Sequence, residues 1–459
     1  MASIKPDPSF YPSPESAIAG PPEDLAYVVT LDTTGNQPDA LNVIDVASGE
    51  RLGRLDMPNV GDELHHFGWN ACSSALCPWA PHPHVERRYF LIPGLRSSRI
   101  HVIDVKDDPR SPKLAKVIEP DELAAKTGYS RPHTFHCGPD GLYASALGAP
   151  DGDGPGGVFL LDHDDFSIKG AWEADRGPQE LAYDIWWNIG FDRIVTSEWG
   201  TPNMVEDGIN PELLLGGKYG HQIHVWDMRK RTHQQAVDLG PEQQMVLELR
   251  PAHDPNKPWG FVGVVVSTAD LSASVWLWHP AEGNGKITAT KVIEIPAEPA
   301  ETEQLPPALQ PFGAVPPLIT DIALSVDDKT LLVSCWGIGE LKRYDVSDPF
   351  HPRETGSVRI GGIVGREPHP AAGAVNGGPQ MVEMSRDGKR VYLTNSLYSS
   401  WDAQFYPEGM NGWMVKLSSE GDLALDPDFF VPFEGERPHQ VRLAGGDASS
   451  DSYCFPNSG

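Results

Sequence analysis

One phrase returns along this chain without being copied: an apolar strand, a turn, a second strand closing on a run such as VIDV, VWD or YDV, then a third strand. Short strands joined this way along a whole sequence are the grammar of propeller blades. The clearest unit runs from Thr320 to Ile360, where Asp327-Asp328 and Ile338-Gly339-Glu340 make the turns and a fourth strand follows Pro352. A second, GGPQMVEMSRDGKRVYLTNS, turns at Asp387-Gly388, a hairpin pair.

Inner strands are expected to begin near His65, His133, Ala182, Met245, Leu318 and Gly378. The segment from Ala26 to Met57 supplies outer strands with no inner partner, and HQVRL, from His439, is a strand without a blade. Joined, they make a seventh blade closed by both chain ends, which removes free sheet edges and ties down the termini. The expected fold is all-β, one seven-bladed β-propeller over 1–459, with an extended N-terminal arm over 1–24 and a long surface loop over 296–317. Tandem β-sandwiches would call for a composition break or linker near the middle, and the sequence has none.

Composition agrees with many short strands and turns, since 46 Gly and 44 Pro are spread along the chain. A net charge of -28 excludes a phosphate-binding surface, so no nucleic-acid partner is expected. With no apolar run of membrane-spanning length and a polar, proline-rich start, no membrane association is expected and a cytoplasmic location is. Cys72, Cys77, Cys137, Cys335 and Cys454 are sparse and odd in number, which suits a reducing compartment and implies no disulfide framework. Oligomeric state is not legible.

Of 16 histidines, five stand at the starts of three inner strands: His65 and His66 in HHFGW, His133 and His136 in PHTFHC, and His439 in PHQVRL. Inner strands converge on the axis, so these are the candidate metal ligands. Neighbours such as His65 and His66 point to opposite faces of a regular strand, as do His133 and His136. Either a bulge brings both members in or one supports the other from behind. Imidazoles suit copper, zinc, iron or nickel alike. Asp62, Glu63, Glu198, Asp321 and Asp402 are the acidic candidates for proton transfer, with Asp321 set apart by its place on an inner strand. Cys72 is either a small buried residue or a chalcogen-binding or catalytic thiol beside the histidines.

At these residues the chain resembles the selenium-binding protein family, which includes the methanethiol oxidases. The resemblance runs in order through DMPNVGDELHHFGWNACSS, SSRIHVIDV, HTFHC, TSEWGTPN, NPELLLGGKYG, HVWD, LITDI, YDVSDP, GGPQM, LYSSWDAQFYP and GGDASSD. It implies a seven-bladed propeller with copper as cofactor, converting methanethiol, oxygen and water to formaldehyde, hydrogen sulfide and hydrogen peroxide. It also implies that His65, His66, His133, His136 and His439 are the family's histidine positions and that Cys72 is the cysteine tied to selenium; with Asp321 and Glu63, singled out by their places in the chain, Cys72 is a group to weigh for catalysis. The run that reads C-S-S-C in animal members stands here as Cys72-Ser73-Ser74-Ala75. A non-catalytic propeller holding selenium or a thiol is the alternative, and a calcium-dependent lactonase-like propeller is disfavoured because it would need oxygen ligands on the axis.

Overall fold

The computed structural model describes residues 5–78, 81–283 and 285–449. Seven four-stranded antiparallel sheets follow one another around a central axis. Blade one pairs Leu25–Asp32, Pro38–Asp45 and Arg51–Val60 with Glu436–Leu443, so the last strand among the described residues is the inner strand of the first blade. Both chain ends thus close the ring, as the unpaired HQVRL strand implied. The other inner strands are Gly68–Trp69, Ser130–Gly138, Ile185–Asn188, Gln243–Pro251, Ile319–Leu324 and Val382–Met384, for blades two to seven.

Burial patterns separate the strands by layer. Gly141–Gly148 and Gly260–Ser267 are buried at every position, because each is covered by a blade on either side. The outermost strands Arg51–Val60 and Arg353–Arg359 are mostly exposed or half-buried. Between blades the core is aromatic and β-branched: Tyr27, Trp69 and Phe90 meet edge-on and tilted at centroid distances of 3.8 to 6.0 Å.

The arm before the first strand is tied down. Phe10 packs on Ala71, Ala75 and Val85, Pro14–Ile18 forms a short helix, and the buried Glu23 carboxylate meets Arg390 at 2.5 Å and Arg386 at 3.5 Å on blade seven. The segment over 296–317 has structure of its own: Glu298–Pro299 pairs with Ala314–Val315, and Leu305, Leu309 and Val315 are buried in the main core.

Candidate metal and active site

The inner strands depart from regular pairing near one level of the axis. Pro132 faces Ala146 and Phe135 faces Ala144, so three steps on one strand answer two on the other and one residue bulges at His133-Thr134. The same count places a bulge at Leu247-Glu248, between Val246 and Leu249, and one at His439-Gln440, between Pro438 and Val441. In blade two Leu64 bridges Gly94 and Gly68 faces Leu91, which leaves one residue extra at His65-His66-Phe67. Bulges re-aim side chains out of the two-residue alternation, and here they bring His65, His66, His133 and Glu248 to the axis with His439.

The result is a packed group of imidazoles. The His65 and His439 rings stack at 3.7 Å, His66 and His133 lie at 4.2 Å, and His65 and His133 at 4.9 Å. One ring nitrogen each from His65, His66 and His439 falls within 4.8 Å of the others. Blades two and three approach closely enough to allow this because of Gly68: a Cβ there would stand 2.2 Å from the Phe135 carbonyl oxygen.

Relative exposures of 3%, 2%, 0% and 0% for His65, His66, His133 and His439 take these rings out of solvent. Burial and mutual repulsion hold His65, His66 and His133 well below the ordinary imidazole range, and burial puts His439 at about 3. All four are therefore neutral at pH 7, the form that ligates a metal. His439 donates Nδ1–H to the Ser396 carbonyl at 2.9 Å, which leaves the Nε2 lone pair facing inward, and His133 Nδ1 meets Thr134 Oγ1 at 2.8 Å. His65 Nδ1, His66 Nε2, His133 Nε2 and His439 Nε2 are buried with no hydrogen-bond partner. A buried polar atom left unpaired costs on the order of 1–3 kcal/mol, so the converging nitrogens of His65, His66 and His439 fit a cation that satisfies them together, with His133 beside it.

The structure places the His136 ring apart from the other four. That residue stands beyond the bulge, and its ring packs on Trp186 at 3.8 Å with Nε2 3.6 Å from Asp184. Glu63 is also turned aside: with φ 55, its carboxylate accepts from Ser399 N at 2.6 Å and Ser399 Oγ at 2.8 Å and pairs with Arg96 at 3.2 Å. It thereby holds the segment carrying Tyr398, whose ring lies edge-on to His65 at 6.1 Å. Asp321 spends its oxygens on Arg250 at 2.9 Å and on the amides of Ile322 and Val382, both at 2.8 Å. Cys72 Sγ lies 2.7 Å from Ser74 Oγ and 3.6 Å from the Cys137 carbonyl, in the core between blades two and three. Asp62 pairs with Arg99 and His101, Glu198 with His224, and Asp402 with Arg437. Cys454 lies outside the described residues.

Sequence reasoning passed over Glu248 and Tyr183. Glu248 Oε1 is 3.7 Å from His66 Nε2 and accepts from Tyr183 Oη at 3.0 Å, while Oε2 accepts from Arg250 at 3.0 Å. Burial pushes this carboxyl up, against the pull of Arg250. The Tyr183 ring packs on His133 at 4.1 Å. The available signal was the acid itself, alone in the apolar inner strand MVLEL.

Comparison with known proteins gives a consistent picture. Residues 4–454 match the family described as 56kDa selenium binding protein (SBP56). Methanethiol oxidases of Xenopus laevis and Homo sapiens are each 38% identical, with 96% of this chain and 97% of theirs aligned. The solved structure of a hypothetical selenium-binding protein from Sulfolobus tokodaii is 56% identical, with a TM-score of 0.94 over 98% of this chain and all (100%) of that one. The periplasmic gluconolactonase of Pseudomonas aeruginosa, 12% identical with a TM-score of 0.54 over 91% of this chain and 98% of its own, shares the fold alone.

Proposed function

The chain belongs to the 56 kDa selenium-binding protein family, and from that footing we propose that it is a methanethiol oxidase working with copper held by His65, His66 and His439, with His133 beside them. The observation that carries the metal reading is the convergence of His65, His66 and His439, whose ring nitrogens lie within 4.8 Å of one another and include buried, unpaired atoms on neutral imidazoles. Copper in such a site would acidify a coordinated thiol and pass two electrons from the substrate carbon to oxygen.

The chain's own residues supply the rest. Ser396 fixes the His439 tautomer through its carbonyl, so that Nε2 is the ligating atom. Glu248, beside His66, is the carboxylate placed to take a proton from the substrate methyl carbon; Tyr183 and Arg250 hold it in position. Loss of that proton, the thiol proton and two electrons from methanethiol leaves thioformaldehyde, and oxygen takes up the two electrons and two protons as hydrogen peroxide. Water then adds to the thiocarbonyl and releases formaldehyde and hydrogen sulfide. The Tyr398 segment, clamped by Glu63 and Arg96, lies edge-on to His65 and limits which thiols enter.

Among the described residues no disulfide forms, which supports placement in a reducing, cytoplasmic compartment. No helix is long and apolar enough to cross a membrane. The test is turnover: copper-loaded protein given methanethiol and oxygen should release sulfide and peroxide in equal amounts, and copper-loaded, folded protein that releases neither would refute the assignment.

A further inference from the structure

A second group of ligating side chains stands apart from the axial histidines and shares none of them: His82, Cys137 and His163. They come from three separate pieces of chain. His82 lies in the irregular stretch between the 3-10 turn Ser73–Leu76 and the strand Tyr89–Pro93, Cys137 near the end of blade three's inner strand, and His163 in the turn joining Gly157–Leu161 to Ile168–Ala171. Cys137 Sγ is 3.3 Å from His82 Nε2 and 3.7 Å from His163 Nε2, and the two imidazole rings stack at 4.6 Å. The three candidate atoms all lie within 4.8 Å of one another.

We propose that this group is a second metal site, in which Cys137 thiolate and the Nε2 atoms of His82 and His163 bind a d10 ion, Zn2+ or Cu+. One sulfur and two imidazole nitrogens form a borderline-soft donor set that suits these ions and leaves a fourth position open. Cys137 and His82 are buried while His163 is half-buried at a turn, so the ion has both a closed inner side and a route in. Binding replaces the thiol proton, which passes to solvent, and the cation's charge offsets the cost of a buried thiolate.

The site has a structural consequence. Between the 3-10 turn and the strand Tyr89–Pro93 the described residues make no regular pairing, yet Val85 packs against Phe10 of the N-terminal arm. An ion bridging His82 to Cys137 and His163 pins that stretch, and the arm with it, to blade three.

Cobalt reports the sulfur ligand directly. Co2+ added to the metal-free full chain is expected to give a thiolate-to-cobalt charge-transfer band that persists in His439→Ala, whose lesion is at the axis. The band should vanish in Cys137→Ser, and its half-saturation should move at least tenfold to higher cobalt in His163→Ala, a half-buried position where truncation leaves the fold intact. Elemental analysis of His439→Ala as purified then distinguishes zinc from copper. A folded wild-type chain that shows no thiolate band, or a band unchanged in Cys137→Ser, overturns the proposal; both results are independent of whether methanethiol is oxidised.

Discussion

The imidazoles of His65 and His439 stack with centroids 3.7 Å apart, although one precedes the inner strand of blade two and the other belongs to the closing strand Glu436–Leu443. Ring closure and site assembly are therefore a single event, and a variant at His439 separates them. His439→Ala should lose copper on dialysis and lose thiol oxidation, while the metal-free chain keeps its strand content and unfolds cooperatively. Retained copper would remove His439 from the ligand set.

Glu248→Gln keeps an acceptor for Tyr183 and removes the charge beside His66. Positioned proton acceptors contribute about 10²–10⁴-fold, so kcat should fall by roughly 10²-fold or more with copper content unchanged. The same change at Asp321, whose oxygens serve Arg250 and two amides, should appear as lost stability. If Glu248→Gln turned over at the wild-type rate, proton abstraction would lie elsewhere.

Glu63→Gln weakens the clamp on Ser399 and Arg96. Hydrogen exchange in the helix Ser399–Phe405 should quicken, and larger thiols should gain on methanethiol in kcat/KM, with methanethiol kcat changed less than about tenfold, the low side of a catalytic-group effect. Unaltered exchange with a collapsed kcat would make Glu63 a catalytic residue after all.

Asp402 is fully buried beside Arg437 and Tyr406 and accepts from Ser396 Oγ at 2.6 Å and Leu397 N at 2.9 Å. Burial raises its pKa from 3.8 to about 6 despite Arg437. Its folded pKa lies above the unfolded one, so the folded chain binds the extra proton; the favourable contribution is complete below about pH 4 and is lost as pH rises through about 6. Asp402→Asn should flatten that slope. The wild-type stability relative to the variant should drop by up to about 3 kcal/mol between about pH 4 and pH 7, measured by urea unfolding at each pH; parallel profiles would rule out the raised pKa.

The blades and the closing strand were legible because alternating apolar runs and turn residues report strands locally, and HQVRL had nowhere else to pair. His65, His66, His133 and His439 were legible as residues on or beside inner strands, though His133 and His439 lie within their strands rather than at the starts. Their convergence was not: it depends on one extra residue at His65-His66-Phe67, His133-Thr134 and His439-Gln440, and a bulge is a register relation between two strands that neither strand states alone. That the His136 ring packs apart from the others was not legible either, since its partners Trp186 and Asp184 are remote in sequence. Glu63 and Asp321 looked available because their partners, Ser399, Arg96 and Arg250, are remote in sequence. Glu248 escaped notice because an acid in an apolar strand reads as an outward residue until the bulge at Leu247-Glu248 turns it to the axis.

The most direct measurement of the central claim is copper content and copper-edge absorption of the wild-type chain beside the double variant His65→Ala/His66→Ala, each also assayed for sulfide and peroxide from methanethiol. The account predicts that the wild type carries axial copper in an imidazole-nitrogen environment and turns over, and that the folded double variant has neither that copper signal nor activity. A folded double variant that keeps the same copper spectrum and oxidises methanethiol would contradict it.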